Sequence, residues 1–429
     1  MKTKIVWFRN DLRLHDNQCL VEAIEKSDQI VAVFVFDPRL FGTGKFGFPK
    51  SGSFKANFLM EAVSELKKSL QNCGSDLLVL KGKPEELLPE VAIKYNASAI
   101  YFSKEVTPEE VKIEDELLKA LSKKNIDWKM FSTFTLIETE NLPFPLHQMP
   151  QMFTKFRKLV EGDLQINIPF EAPIKIESPL LDQNQMPDLA DFGIPIPVAD
   201  NRSAFPCKGG EKQGQKRVTE YLWDKDLLKN YFDTRNGLIG TDYSSKFSPW
   251  LAIGCLSPRY IYAEVKRYEA ERIENKSTYW LIFELLWRDF FHFTAAKHYN
   301  RFFAQDGYNN APKREWEDNR EKFDKWKEGN TGVDFIDANM RELKNTGFMS
   351  NRGRQNVASY LINDLKVNWL MGAEYFESML IDHDVCSNYG NWSYLAGIGA
   401  DPRENRIFNI EKQANNYDPK GEYRKLWLN

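Results

Sequence analysis

Ile30-Val31-Ala32-Val33-Phe34-Val35-Phe36 is a short β-rich run, and residues 1–131 hold others like it at Lys4–Phe8, Asp76–Leu80, Ala99–Phe102 and Asp127–Phe131. Helical patterns separate them, near Gln18–Lys26, Lys55–Gln71, Pro84–Tyr95 and Glu109–Lys123. Strand–helix alternation at this spacing predicts a parallel, doubly wound, Rossmann-like sheet. Its binding crevice belongs at the carboxyl ends of the strands. Gly42-Thr43-Gly44-Lys45-Phe46-Gly47 matches G-x-G-x-x-G letter for letter. Yet Pro38 and Arg39 part it from the strand, and Phe48-Pro49-Lys50 follows where a helix should open, so it reads as a flexible loop.

Outward from this α/β unit the character changes. Nine of the twenty prolines fall between Leu142 and Val198, which makes 132–205 an inter-domain connector. Phe153, Phe156 and Phe170 punctuate it, so it should wrap over the surface rather than hang free. From Gly209 the pattern is helical almost to the end, with candidate helices at Gly209–Asp224, Pro249–Leu256, Pro258–Ala270, Thr278–His298, Glu321–Lys327, Phe335–Asn345, Gln355–Trp369 and Ala373–Ile381. Residues 206–429 are therefore expected to form an all-α domain of roughly 220 residues, near the upper end of ordinary domain size.

Net charge is only −3, so there is no global signature of a nucleic-acid binder. Residues 1–200 carry 24 basic and 29 acidic side chains, and 201–429 carry 34 and 32, so any DNA-facing surface must be a local patch. Five scattered cysteines without a Cys-x-x-Cys pair suggest reduced, cytoplasmic usage, and five histidines lack zinc-ligand spacing. No signal peptide or membrane span is seen. Aromatics reach 14%, with 11 Trp; most belong to the core, but so many tryptophans also suit stacking or electron transfer.

Chemistry concentrates in the last third. Phe348-Met349-Ser350-Asn351-Arg352-Gly353-Arg354-Gln355 and Asp382-His383-Asp384-Val385-Cys386-Ser387-Asn388 flank an amphipathic stretch, Val357–Met379. Polar groups held between apolar helices either pair with one another or grip a polar ligand. Tyr243-Ser244-Ser245-Lys246-Phe247-Ser248-Pro249-Trp250 puts three hydroxyls and a lysine before a helix that Pro249 would start well. That is either a helix cap or a pyrophosphate cradle. Tyr231 could add a phenol. Glu284, Trp287 and Arg288 share one helical face, as an ion pair beside a buried indole or as a platform for an unstacked base.

These stretches, with Trp7-Phe8-Arg9-Asn10-Asp11-Leu12-Arg13, together resemble the photolyase/cryptochrome family, end to end and in order. Thr234-Arg235-Asn236-Gly237, Met349–Gln355 and Asp401-Pro402-Arg403-Glu404-Asn405 resemble its cryptochrome DASH subgroup most closely. The resemblance implies a U-shaped FAD inside the helical domain. Tyr231, Ser244, Ser245, Phe247 and Ser248 would cradle its phosphates. Arg288 and Asn351 would line the pocket, Arg354 would pair with Asp382, Asp384 would contact the sugar or the adenine-proximal edge, and Asn388 would face flavin N5. An amide there suits a reduced anionic flavin, because it adds no second negative charge. Trp392, Trp369 and Trp316 would pass electrons inward from the surface.

Glu284 and Trp287 match positions that touch a flipped pyrimidine dimer in photolyases. Gln355 and Tyr394 stand where dimer photolyases have Met and a second stacking Trp, so the pocket is more polar and stacks less. Base–aromatic stacking is worth about 1–3 kcal/mol per base. Unpairing costs least where the strand is already single, so the resemblance implies preference for single-stranded or locally unpaired DNA. Ser350 replaces the histidine of a (6-4) photolyase and disfavours that repair. Glu109 matches the acid that holds a 5,10-methenyltetrahydrofolate antenna, although the helix dipole explains an early acid equally well. The expectation is a monomeric blue-light flavoprotein that splits cyclobutane pyrimidine dimers. Its rival is a blue-light photoreceptor with little or no repair.

Overall fold

The structure, a computed structural model, describes residues 2–182, 185–309, 314–400 and 407–429. Five strands, β1 (Thr3–Phe8), β2 (Gln29–Phe36), β3 (Leu77–Lys81), β4 (Ala97–Ser103) and β5 (Asp127–Phe131), pair in parallel in the order β3-β2-β1-β4-β5. The sheet is doubly wound, as the alternation predicts. β1 is buried along its length, as a central parallel strand covered on both faces must be. β5 begins with two exposed residues, fitting its edge position. Phe8, Phe34 and Phe36 line one face, and Ile5, Trp7 and Val33 the other. The first face shares its core with Phe205, Trp250 and Leu286, so apolar packing runs unbroken into the helical part.

The crevice at the carboxyl ends of β1 and β4 is closed by that helical part. Leu12 N–H donates to the Ile253 carbonyl at 3.3 Å, and Arg13 to the Gly254 carbonyl at 2.9 Å. Buried Asp16 pairs with Arg259 at 2.7 Å. Glu211 accepts from the backbone of Leu14 and His15 at 2.8 and 2.9 Å. Trp7–Arg13 therefore leads from a strand into an inter-domain joint.

The Gly42–Gly47 run is not a free loop. The buried carboxylate of Glu374, in the helix Trp369–Met379, accepts from Phe46 N–H at 2.8 and 3.1 Å and from Phe48 N–H at 3.3 Å. A Cβ at Gly44 would lie 2.4 Å from that carboxyl carbon and would push the carboxylate off the loop N–H groups, so glycine here serves close approach rather than phosphate.

Other departures have local causes. The connector contains a helix, Phe153–Glu161, whose Phe153 and Phe156 pack on Phe290 of the long helix Lys276–His298. The stretch read as one helix over Gln355–Trp369 is Asn351–Ser359 followed by a wide π turn, Tyr360–Asp364. It stops because Lys366 is left-handed (φ 57), and Asn368 then caps a new helix that begins at Trp369. Gly209–Asp224 divides the same way, into Glu211–Thr219 and a π turn ending before Asp226 (φ 53). Two terminal helices, Ile410–Tyr417 and Glu422–Leu428, were not foreseen; Tyr423 and Trp427 anchor the second. Asp401–Asn405 lies outside the described residues. Among those residues no helix is long and apolar enough to cross a membrane, and no group of three or more His, Cys, Asp or Glu could hold a metal.

Candidate functional site

Three helices, Asn351–Ser359, Trp369–Met379 and Val385–Leu395, and the turn that joins the last two build the site. Ser350 caps Asn351–Ser359 through Gly353 N–H, and Asp384 caps Val385–Leu395 through Ser387 N–H. Between them lies a pocket partly open to solvent, lined among others by Asn351, Arg354, Gln355, Asp382, Asp384, Asn388 and Trp392. Seven residues singled out from the sequence thus share one wall.

Its polar groups are incompletely satisfied. Asp382 Oδ2 accepts from Arg354 at 2.9 Å and from Ser248 Oγ at 2.7 Å, while buried Asp382 Oδ1 has no partner. His383 Nδ1 is likewise buried without one, and burial drives that imidazole toward its neutral form. Asn388 spends its N–H₂ on the Ala373 carbonyl at 2.9 Å, which leaves Oδ1 as an acceptor. Buried acceptors without donors are costly unless a ligand supplies them. A flat ring system with N–H groups on its edge meets that need, so the residues fit a flavin.

The phosphate candidates form a supporting loop. Arg217 donates to the carbonyls of Thr241 (2.9 Å), Ser244 (3.2 Å) and Ser245 (3.1 Å). Lys246 is left-handed (φ 62) and buried, with Nζ over the Tyr243 ring at 3.1 Å and the Phe348 ring at 4.6 Å and no hydrogen-bond acceptor. Burial lowers its pKa well below the ordinary lysine value, against the pull of Glu342. Phe247 and Tyr231 are buried. Arg288 is committed elsewhere: it donates to the carbonyls of Phe134 and, at 3.3 Å, of Leu251, and reaches Asp384 at 3.8 Å. Its place is behind Asp384 rather than in the cavity wall.

Two of the three tryptophans are buried and the third is not. Trp392 lines the cavity and is buried; Trp369 is fully buried, its indole N–H on the Gln305 carbonyl at 3.1 Å; Trp316 is half-buried. Trp326, 6.3 Å from Trp392, and Phe376, 5.1 Å from it, were not singled out from the sequence.

Neither Glu284 nor Trp287 is among the residues lining the cavity; the Tyr394 ring is 5.8 Å from Trp287 at 84°. Phe153 stacks on Trp287 at 3.7 Å and 13°, so one indole face is already covered. Glu284 accepts from Arg235 and from Trp280 Nε1, each at 3.0 Å. Burial raises its carboxyl pKa, and Arg235 opposes the rise. In the α/β unit Glu109 is exposed and pairs with Lys50, whereas Glu110 turns inward, accepts from Thr107 and is raised by burial.

Comparison with known proteins agrees with this geometry. Residues 4–175 match the DNA photolyase family model, and residues 280–429 match the FAD binding domain of DNA photolyase. A cryptochrome DASH from Gloeobacter violaceus is 52% identical over 428 residues, covering 100% of this chain and 85% of its own. One from Xenopus laevis is 50% identical, covering 99% and 82%. The crystal structure of a Synechocystis sp. cryptochrome superposes with a TM-score of 0.96 at 50% identity, covering 100% and 89%. A class III photolyase from Agrobacterium tumefaciens gives 0.85 at 25% identity, covering 100% and 86%. The chain belongs to the DNA photolyase/cryptochrome family, in its cryptochrome DASH subgroup, and is a blue-light, FAD-binding flavoprotein of the photolyase type.

Proposed function

We propose that the protein repairs cyclobutane pyrimidine dimers by light-driven electron transfer, acting on single-stranded or locally unpaired DNA. The observation that carries this reading is that Gln355, a substrate-side residue, lines the same cavity as Asp382 and Asn388. A dimer held against Gln355 is therefore beside whatever that cavity holds. When bound, reduced FAD supplies on excitation one electron to the dimer and recovers it after the ring opens.

The chain's own residues position and exclude water. Arg354 and Ser248 hold Asp382 so that its Oδ1 can accept a ring N–H. Asn388 Oδ1, left free by the bond of its N–H₂ to Ala373, would accept a hydrogen bond from the flavin N5–H without adding charge. The hydroxyls of Ser244 and Ser245, with the Tyr231 phenol, would hold the phosphates, on a loop whose carbonyls Arg217 already occupies, while Ser248 spends its proton on Asp382. Trp392, Trp369 and Trp316 would carry reducing equivalents inward; Trp316 is half-buried whereas Trp392 and Trp369 are both buried, which supports Trp316 as the outer end. Tyr394 in place of a second indole supports the single-strand preference, since the stacking gain no longer offsets unpairing of a duplex. A 5,10-methenyltetrahydrofolate antenna would meet Glu110 more readily than Glu109, which is exposed and paired with Lys50.

One observation favours the photoreceptor alternative: Phe153 covers a face of Trp287 that a lesion would otherwise use. Repair of a dimer-containing oligonucleotide under blue light, in parallel on unpaired and duplex DNA, separates the readings. Faster splitting of the unpaired strand is expected. Equal duplex repair removes the strand preference, and no splitting by a protein that still photoreduces favours the receptor.

A further inference from the structure

The turn after the short helix Tyr231–Thr234 has no assigned task, yet it touches both polar ends of the lesion pocket. It is tightly built: Arg235 N–H donates to the Tyr231 carbonyl at 3.0 Å and Gly237 N–H to the Thr234 carbonyl at 2.8 Å. A Cβ at Gly237 would lie 2.6 Å from Tyr243 Cβ, so only glycine lets the turn close. Arg235 and Asn236 are thereby held in fixed directions.

From one side, Arg235 Nη1 donates to Glu284 Oε1 at 3.0 Å, with its guanidinium 5.0 Å from the Trp280 ring. Trp280 Nε1 donates to the same oxygen at 3.0 Å. Glu284 Oε1 is thus taken by two donors, and Oε2 is the acceptor left for a substrate. From the other side, Asn236 Oδ1 accepts from Arg352 Nη2 at 3.0 Å, and Arg352 Nη1 donates to Gln355 Oε1 at 2.9 Å. A guanidinium has donors only, so the contacted atoms of Asn236 and Gln355 must be their oxygens. The Gln355 N–H₂ is what remains to face a ligand.

We propose that the Arg235-Asn236 turn is a specificity-determining element that presets one acceptor, Glu284 Oε2, and one donor, Gln355 Nε2, for the hydrogen-bonding edge of an extruded pyrimidine. A pyrimidine edge carries both kinds of partner, so a site with one of each recognises it, whereas two freely rotating groups would lose the match to rotamer entropy. The inference rests on the reading of Glu284 and Gln355 as substrate contacts. It adds Arg235, Asn236 and Arg352 as positioning residues that touch neither the dimer nor the cofactor. Arg235 has a second effect. The groups facing Glu284 are the Arg235 guanidinium, the Trp280 indole N–H and the Tyr231 phenol, and only the first carries positive charge. Without it the buried carboxyl takes up a proton at higher pH, and an acceptor becomes a donor.

The test is binding of flavin-loaded protein in the dark to a single-stranded oligonucleotide carrying one cyclobutane thymine dimer, against the same oligonucleotide undamaged, from pH 5.5 to 9. Arg235→Met is expected to weaken dimer binding about tenfold near neutral pH. It should leave undamaged binding within about twofold and move the acid-side loss of dimer binding to higher pH. Arg235→Lys should restore the pH profile, because it restores the charge. Asn236→Ala, which leaves Arg235 in place, should reduce dimer selectivity without moving that profile. Equal loss on both oligonucleotides marks Arg235 as a backbone contact and overturns the proposal. So does unchanged selectivity in both Arg235→Met and Asn236→Ala. A wild-type protein without dimer preference sinks the underlying reading as well, and is distinguished because it fails before any substitution is made.

Discussion

Replacing Asp382 by Asn changes the cavity at its most constrained polar group while keeping its shape. Asp382 Oδ2 accepts from Arg354 (2.9 Å) and Ser248 (2.7 Å), and Oδ1 is buried and unpartnered. An Asn must turn its oxygen toward those two donors, which puts an N–H₂ where Oδ1 stood. Two losses follow. The Arg354 bond falls from charge-assisted, about 1.5–3 kcal/mol, to neutral, about 0.5–1.5 kcal/mol, so the protein loses roughly 1 kcal/mol. Arg354 keeps its second bond, to the Met349 carbonyl at 2.9 Å, which limits the cost of an unpaired cation. The larger loss is to the ligand, whose ring N–H then meets a donor; a buried donor left unsatisfied costs about 1–3 kcal/mol, or roughly 5- to 150-fold in Kd. Flavin retained per chain after gel filtration, and Kd from titration of flavin-depleted protein, measure the second loss; thermal unfolding of the depleted protein measures the first. Undiminished affinity for FAD in Asp382→Asn would refute the assignment of Oδ1 as a ligand acceptor.

Other outcomes follow from the same geometry. The carboxyl of Glu342 is buried against Tyr423 and pushed up to about 7 from 4.5, so its neutral form favours the fold below about pH 4.5 and that support is lost as pH rises through 7. Relative to Glu342→Gln, the wild type should lose roughly 3 kcal/mol of stability between pH 4.5 and 7.5, read from denaturant midpoints of both proteins; parallel curves would contradict it. Trp369→Phe keeps most of the core volume but removes the bond to Gln305, at about 1 kcal/mol. It should slow steady-state photoreduction sharply with flavin content unchanged, and unaltered kinetics would exclude Trp369 from the route. Tyr394→Trp should recover about 1–3 kcal/mol of stacking and raise the ratio of duplex to single-strand repair; a ratio that stays put would remove Tyr394 as the source of strand preference.

The parts legible in the sequence were those written in local periodicity or in charge. The five strands announced themselves because central parallel strands are apolar on both faces, as β1 and β2 are. Arg354, Asp382 and Asn388 stood out as polar residues amid apolar helices, and they do line one cavity. Breaks set by backbone conformation were hidden: nothing in Val357–Met379 states that Lys366 turns left-handed and splits the helix. Long-range contacts were hidden too. Phe153 was visible as a connector aromatic, but not its seat on Trp287, more than a hundred residues away. Arg288 sat on the expected face yet spends its donors on two carbonyls from distant segments. Glu374, which closes the Gly42–Gly47 loop from more than three hundred residues away, carries no local mark of that role.

The claim on which the rest depends is that the helical cavity, and not the crevice at the ends of β1 and β4, receives the flavin ring. A crystal structure of the flavin-loaded protein tests it directly. The account predicts the ring between Asn351–Ser359 and Val385–Leu395, with an N–H on Asp382 Oδ1 and N5 against Asn388 Oδ1. A ring found in the sheet crevice beside Asn10 and Glu105, with the helical cavity closed, would contradict it.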